Sequence, residues 1–483
     1  MMKRIWPLLG ATAWLAACTV GPDYRRPEVE VPQQWRIEYP AASEVANTQW
    51  WEQFGDPVLN DLIAAALRDN RDVRIAAARV DQFVGALQST RSQFYPQLGY
   101  GVDASRNRAS RIGFPPVPAG GDPFFSLYQG ALSASWQIDL FGRVQRLSEA
   151  AQAQVYASEQ ARNGVVLTLV ASVASTYIAL RASDRQLEIA RATSKNFGET
   201  LRIFDLRFKA GAVSMTELSQ VQSQFEQAQA AIPLIEQQIA AQENLLSLLL
   251  GRNPGPILRG RALAEFKAPA IPADLPSTLL LRRPDILQAE QFLIAANANI
   301  GAAQAQYFPT LSLTGVLGSV STAFGDWFSG PASAWSVAAG LTGPIFTGGA
   351  IQGQVKTAEA GERAALAFYQ QTILNALRET NDALVGSQKR LQESAAQARR
   401  VEALREFARL SRLRFDQGIA SYLDVLIAEN ELFAAELAQV QTVAQRYTQL
   451  VNVYQAMGGG WVELAAAQAP PPQTLAGAKP AAP

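Results

Sequence analysis

The chain contains no histidine and one cysteine, Cys18. Without histidine the Ser-His-Asp triad and the imidazole zinc sites cannot be assembled. A lone cysteine cannot form an internal disulfide. Charge of one sign is also lacking: 42 Lys and Arg stand against 42 Asp and Glu, so nothing indicates a polybasic face for nucleic acid or anionic lipid. No glycine loop has phosphate-binding spacing. Carboxylates are present, but no pocket-forming α/β pattern surrounds a pair of them. The reading is a non-enzymatic protein with no metal site, no cofactor and no nucleic-acid partner.

Proline is missing from two long intervals. Of 26 prolines none lies between Pro123 and Pro233, and none between Pro344 and Pro470. Proline breaks helix interiors, so these gaps can hold very long helices. Gly142 to Gly211 and Gly349 to Gly418 both span 69 residues, roughly 100 Å as continuous helix at about 1.5 Å per residue. Two shorter helices are read in the first half, Leu62–Phe94 and Met215–Leu250, which together match that length end to end, with the break at Gly251–Pro256. The return helix carries a heptad seam: Leu218, Val221, Phe225, Ala228, Ile232, Ile235, Ile239, Gln242, Leu246 and Leu249 alternate in steps of three and four. The second half repeats it from Leu423 and Leu426 to Val451 and Tyr454. Such seams mark bundle cores more often than functional surfaces. Val165–Leu180 is apolar but interrupted by Thr168, Ser172, Ser175 and Thr176, and reads as packed helix rather than a membrane span.

These likenesses extend through the chain. Asp69–Val73 running to Gln93–Leu98 is echoed by Arg282–Ile286 running to Gln306–Leu311, offset by 213 residues. Leu206–Ser214 is echoed by Leu413–Ser421, offset by 207. A repeat of this size lies far above the solenoid range of roughly 20–50 residues, so the halves read as a duplicated domain. The first repeat is placed at 62–256 with a hairpin at 98–140, the second at 273–457 with a hairpin at 311–346. Within the hairpins, Tyr128, Leu132, Trp136, Ile138 and Leu140 alternate with small or polar residues, the period of a strand with one apolar face. Leu98–Asn107 pairs with Leu127–Leu140, and Leu311–Val320 with Trp335–Phe346. A half-buried soluble sheet shows the same alternation. The count favours a membrane barrel: four strands fall short of the smallest barrels, about eight strands, and lipid tolerates no open edge, so other copies must complete it.

At the N-terminus Lys3 and Arg4 precede an apolar run, Ile5–Ala17, too short to cross a bilayer. Residues 1–17 read as a signal peptide, and Leu15–Cys18 resembles a bacterial lipobox. A covalent lipid, palmitate among its chains, is therefore expected on Cys18, opening a lipidated segment at 18–61. An incidental cysteine in an ordinary signal peptide is the plainer alternative. Thr19 in place of Asp resembles lipoproteins sent to the outer membrane. Loss of Lys3 and Arg4 would leave 40 basic against 42 acidic residues, a net charge of −2. At the other end, residues 458–483, Ala/Pro-rich from Ala465, read as a disordered tail.

Cys18–Tyr24 with Arg25–Pro27, Trp50–Phe54, Arg283–Asp285, both aromatic-Pro strand starts and the two turns Arg207–Gly211 and Arg414–Gly418 resemble, in this order, the TolC-like outer-membrane channels of efflux pumps, in the lipoprotein branch partnering resistance-nodulation-division transporters. The resemblance runs from residue 18 to about 457. It implies a mostly α protein with a membrane β-barrel: a homotrimer whose twelve strands close a barrel continuous with a twelve-helix periplasmic tunnel. It implies a passive multidrug exit duct, with a periplasmic adaptor and an inner-membrane pump as partners. It also puts Gly211, Ser214, Gly418 and Ser421 at the periplasmic tip, as turn residues first and adaptor-docking residues second.

By the same resemblance Asp424 is a carboxylate ringing the constriction, where three copies would repel or recruit cations; a solvated tip charge is the bland reading. Ile427 stands where many relatives carry a further Asp, which would make the constriction partly apolar. Glu217 occupies an acidic tie-point, but its usual hydroxyl partner is Phe415 here and a basic tie falls at Ala420. A different lock, using Arg412 or Arg414, is expected. Two other functions stay open on sequence: an outer-membrane channel for type I protein secretion, and a structural coiled-coil envelope lipoprotein, which the β-hairpins do not suit.

Overall fold

The computed structural model describes residues 19–37, 48–112, 120–271, 276–458 and 461–473. The signal peptide and Cys18 lie outside the described residues. Helices and strands run α1 (Pro57–Asp69), α2 (Arg71–Arg91), β1 (Gln97–Arg108), β2 (Phe124–Ile138), α3 (Arg143–Lys209), α4 (Met215–Leu249), α5 (Leu279–Arg282), α6 (Pro284–Gln304), β3 (Thr310–Ser321), β4 (Ser333–Thr342), α7 (Ala350–Asp416), α8 (Tyr422–Met457) and α9 (Trp461–Gln468). The two proline-free intervals each hold a helix of 67 residues, α3 and α7. The chain forms two compact units. The first comprises the segment to Glu28, Gln82–Ala157 and Ala289–Tyr369; the second comprises Val29–Asp81, Ser158–Gln288 and Gln370 to the C-terminus.

The first unit contains an antiparallel sheet in the order β1-β2-β3-β4. One cross-strand row reads Tyr100, Leu132, Leu317, Trp335, and the adjacent row on the opposite face reads Gly101, Ala131, Gly318, Ala334. Because side chains alternate across a strand, all the bulk of this part of the sheet falls on one face. That face is bare: Tyr100 is 84% exposed and Trp335 75%. Both outer strands, β1 and β4, have an unpaired edge among the described residues. Two strands stop earlier than the alternation suggested: β2 at Ile138, and β4 at Thr342, where Gly343 and Pro344 end its ladder.

In the second unit the helix read as Leu62–Phe94 is in fact two. Asp56 accepts a hydrogen bond from the Val58 N–H and Pro57 sits in the first turn, so α1 starts five residues earlier than expected. Asn70 then breaks the run. Its Oδ1 accepts from the N–H groups of Asp72 (2.8 Å) and Val73 (3.1 Å), capping α2, while its Nδ2 donates to the Leu249 carbonyl (2.8 Å) at the end of α4. The second half does the same with another side chain: Arg283, between α5 and α6, donates to the Ala456 carbonyl (2.7 Å) at the end of α8. Gly251 and Gly458 follow the two return helices with φ of +69° and +62°. At Gly251 a Cβ would run into the Asp69 carbonyl, so the joint admits only glycine.

Every position of the α4 seam is buried or half-buried, and on α8 only Leu423 is exposed. Val166, Val170, Val173, Ala174, Tyr177 and Ile178 are buried in this core. Thus α3, the one described helix apolar enough to cross a membrane, buries much of that stretch against protein. Part of the region expected to be disordered from residue 458 is ordered. Trp461–Gln468 is helical, and Trp461 is fully buried against Trp50 (5.9 Å between ring centroids) and Trp51 (5.9 Å). Arg162 donates to the Ala466, Ala469 and Pro470 carbonyls, closing the end of α9. The Ala/Pro composition concealed this helix because one large aromatic supplies the docking energy.

Candidate functional site: the paired helix turns

Both long helices end in the same way. At the first turn Gly211 has φ +71°, its N–H donates to the Phe208 carbonyl (2.9 Å), and the Ala212 N–H donates to the Arg207 carbonyl (2.8 Å). At the second, Gly418 has φ +70°, donating to Phe415 (2.9 Å), and Ile419 donates to Arg414 (2.9 Å). This pair of bonds is the Schellman closure, which needs a left-handed residue and so selects glycine. Three residues later Ser214 and Ser421 cap the return helices. Ser421 Oγ accepts from the Leu423 N–H (3.0 Å), and Ser214 Oγ accepts from the Glu217 N–H (3.2 Å). The four residues assigned to the turn from sequence therefore form it.

Glu217 does something different from what the resemblance implied. Its carboxylate accepts from the Ser214 N–H (2.7 Å), completing a capping box on its own helix. That backbone donor holds its carboxyl below the ordinary value. Asp424, the equivalent residue of the other turn, is exposed and forms no ion pair among the described residues. Ile427 is 46% exposed three residues further on, so the two lie on neighbouring positions of one helix face.

What joins the two turns is a small core of which the heptad seams supplied Leu218, Val221 and Leu426, while its aromatic members were missed. Phe204, Val221, Tyr422, Val425 and Leu426 are buried together, with Leu201, Val213, Leu218 and Phe415 packed against them. Tyr422 is its centre, 4.3 Å from Phe204 and 5.0 Å edge-on from Phe415 between ring centroids. The Arg207 guanidinium lies over both Phe204 (5.8 Å) and Phe415 (6.0 Å). Phe415, unable to hydrogen-bond, thus ties the halves through its ring. Gln224 of α4 adds a direct bond to the Leu426 carbonyl of α8 (2.6 Å).

Beside this core Arg412 reaches Asp416 and Glu429, each at 3.7 Å. Burial lifts the Glu429 carboxyl above its ordinary value, partly offset by Arg412. Burial and Glu429 together push the Tyr422 hydroxyl up to about 12. Of the two arginines expected in a lock, Arg412 makes one cross-helix pair, with Glu429 on α8; Asp416 lies on its own helix. The available signal was Tyr422 itself, a large aromatic directly after a capping serine, where the first turn has Met215.

A sheet with one bare apolar face and two helix hairpins that end in matching glycine turns are the features of an outer-membrane channel protein with long helices. The chain belongs to the outer membrane efflux protein family, whose model matches residues 62–252 and 275–459. It is 35% identical over 459 residues to the solvent efflux pump outer membrane protein SrpC of Pseudomonas putida, covering 93% of this chain and 97% of that protein. It is 33% identical over 455 residues to the probable outer membrane lipoprotein SilC of Salmonella typhimurium, with the same coverages. Among solved structures, the open-state MtrE outer membrane channel of Neisseria gonorrhoeae superposes with a TM-score of 0.83 at 30% identity, covering 92% of this chain and 98% of that one. The protein is an outer-membrane efflux channel, and its function is transport.

Proposed function

We propose that three copies of this chain form the duct, that it is the passive exit of a tripartite system without catalysis of its own, and that the paired turns are its gate and adaptor-docking end. The observation that carries this reading is the four-stranded sheet with an apolar face and two unpaired edges, because lipid tolerates no open strand edge and further copies supply the missing pairing. Three such sheets give a twelve-stranded barrel, within the size range of membrane barrels. Cys18 carries the lipid anchor, in keeping with the relative named an outer membrane lipoprotein. Energy comes from an inner-membrane pump of the resistance-nodulation-division type through a periplasmic adaptor. The cargo is small molecules, the class that the solvent-efflux relative's name indicates.

In this reading Asp424 and Ile427, exposed on one face of α8, line the constriction, and the Tyr422 core keeps the two turns together. Asp424→Ala is expected to raise single-channel conductance in planar bilayers and to increase antibiotic entry into cells. Unchanged conductance and entry would remove Asp424 from the gate. A protein that gives no conductance and no heat-modifiable band would overturn the duct itself.

A further inference from the structure

In the first unit two buried charged side chains face the N-terminal arm. Arg146 on α3 is 7% exposed and Glu290 on α6 is 9% exposed. Arg146 donates to the Asp23 carboxylate (2.8 Å), to the carbonyls of Val20 (3.3 Å) and Gly21 (3.4 Å), and to Glu149 (2.9 Å) on its own helix. Glu290 accepts from the Arg26 guanidinium (2.6 Å) and the Tyr24 hydroxyl (3.2 Å). The backbone is fastened as well, with the Val20 N–H donating to the Phe141 carbonyl (3.2 Å) between β2 and α3. Gly21 has φ +107°, and a Cβ there would run into the backbone of Gly301 on α6.

Thr19–Arg26 has no helix or strand of its own, yet it is held at several points within eight residues. Without the arm, Glu290 would lose both partners named here and Arg146 would keep Glu149 alone, a costly state for buried charges. Consecutive Cα atoms are about 3.8 Å apart, so the Cα of residue 18 lies within roughly 8 Å of that of Val20. The described start of the arm, Thr19 and Val20, is fastened beside Phe141–Gly142, where the sheet gives way to helix.

We propose that Thr19–Arg26 is a docking strap and that Arg146 and Glu290 are its receptors, positioning residues that set the height of the lipid on Cys18 at the β2–α3 junction. The partner surface is the periplasmic leaflet of the outer membrane. A lipid on a floating arm would hold the protein at the membrane while leaving the depth of the sheet to its apolar band alone. A docked strap passes the insertion energy of the acyl chains directly to the barrel. This inference rests on the reading of Cys18 as acylated, and its test separates the two.

The full-length protein is purified from membranes as wild type, as Arg146→Met/Glu290→Gln, as Glu290→Gln alone in case the double variant fails to fold, and as Cys18→Ser. Peptide mass spectrometry reads acylation, hydrogen exchange reads the Val20 amide, and a nitroxide on Leu98→Cys, on the bare face of β1, reads membrane depth. The receptor variants are expected to stay acylated, to exchange Val20 faster by roughly tenfold or more, the factor for losing a charge-assisted hydrogen bond, and to shift the depth of the label. Cys18→Ser is expected to shift the depth while keeping the Val20 amide protected. Unchanged exchange in the receptor variants overturns the strap. Unchanged depth overturns its role in setting height. A wild-type peptide without acyl mass overturns the anchor reading, while the exchange result still decides the docking.

Discussion

At the residue scale the tip depends on what each side chain already has as a partner. Glu217 is engaged by Ser214, so it is a helix cap. Asp424 is exposed and has no ion-pair partner among the described residues. Glu429 is the titrating member. A carboxyl whose folded value lies above its unfolded one stabilises the fold when protonated. Its contribution is complete below the ordinary value of 4.5 and is lost as pH rises through the raised value. The tip core is thus expected to be tighter below the raised value than above it. Hydrogen exchange of the α7–α8 turn across that window checks this, and Glu429→Gln should flatten the dependence. A profile unchanged by the substitution would show that another group titrates.

At the element scale, joints rather than helix interiors set the geometry. Asn70 caps α2 and ties α1–α2 to the end of α4, two jobs that different substitutions separate. Asn70→Asp keeps the cap acceptor and loses only the donor to Leu249. Asn70→Ala loses both, and is expected to cost about 2 kcal/mol, from about 1 kcal/mol for a cap and a similar amount for a buried bond. Chemical denaturation should rank the variants wild type, Asp, Ala, and equal stability of Asp and Ala would mean that the cap contributes nothing. This break was only partly legible in sequence. A polar Asp-Asn-Arg-Asp run marks a cap, yet apolar periodicity on both sides suggested one helix. The Schellman turns, by contrast, were readable because glycine and serine spacing within eight residues decides them.

At the scale of the whole molecule, the second unit is pinned by its C-terminal helix. Trp461 is fully buried in a cluster with Trp50, Trp51, Phe54 and Tyr454, and Trp50 stacks on Tyr454 at 5.0 Å. Trp461→Ala is expected to destabilise the fold by about 3–5 kcal/mol, the range for emptying a large aromatic site. Truncation before residue 461 should lower the thermal midpoint similarly. A midpoint within error of wild type would mean that α9 adds nothing to the core. The tail was misread because composition averages over residues, whereas one tryptophan seated among other rings outweighs a run of alanines.

The sequence by itself determined the periodic and local features. Proline-free intervals and heptad spacing led to the 67-residue helices and their return partners, strand alternation to the sheet faces, and glycine-serine spacing to the turns. These are written in neighbours a few positions apart, where backbone sterics and side-chain period act directly. The tertiary structure alone decided which side chains from distant segments meet: Phe204 and Arg207 on Phe415 and Tyr422, Arg283 on Ala456, and Arg146 and Glu290 on the strap. Such contacts carry no period, because they arise only when two packed elements bring remote residues within van der Waals or hydrogen-bond reach.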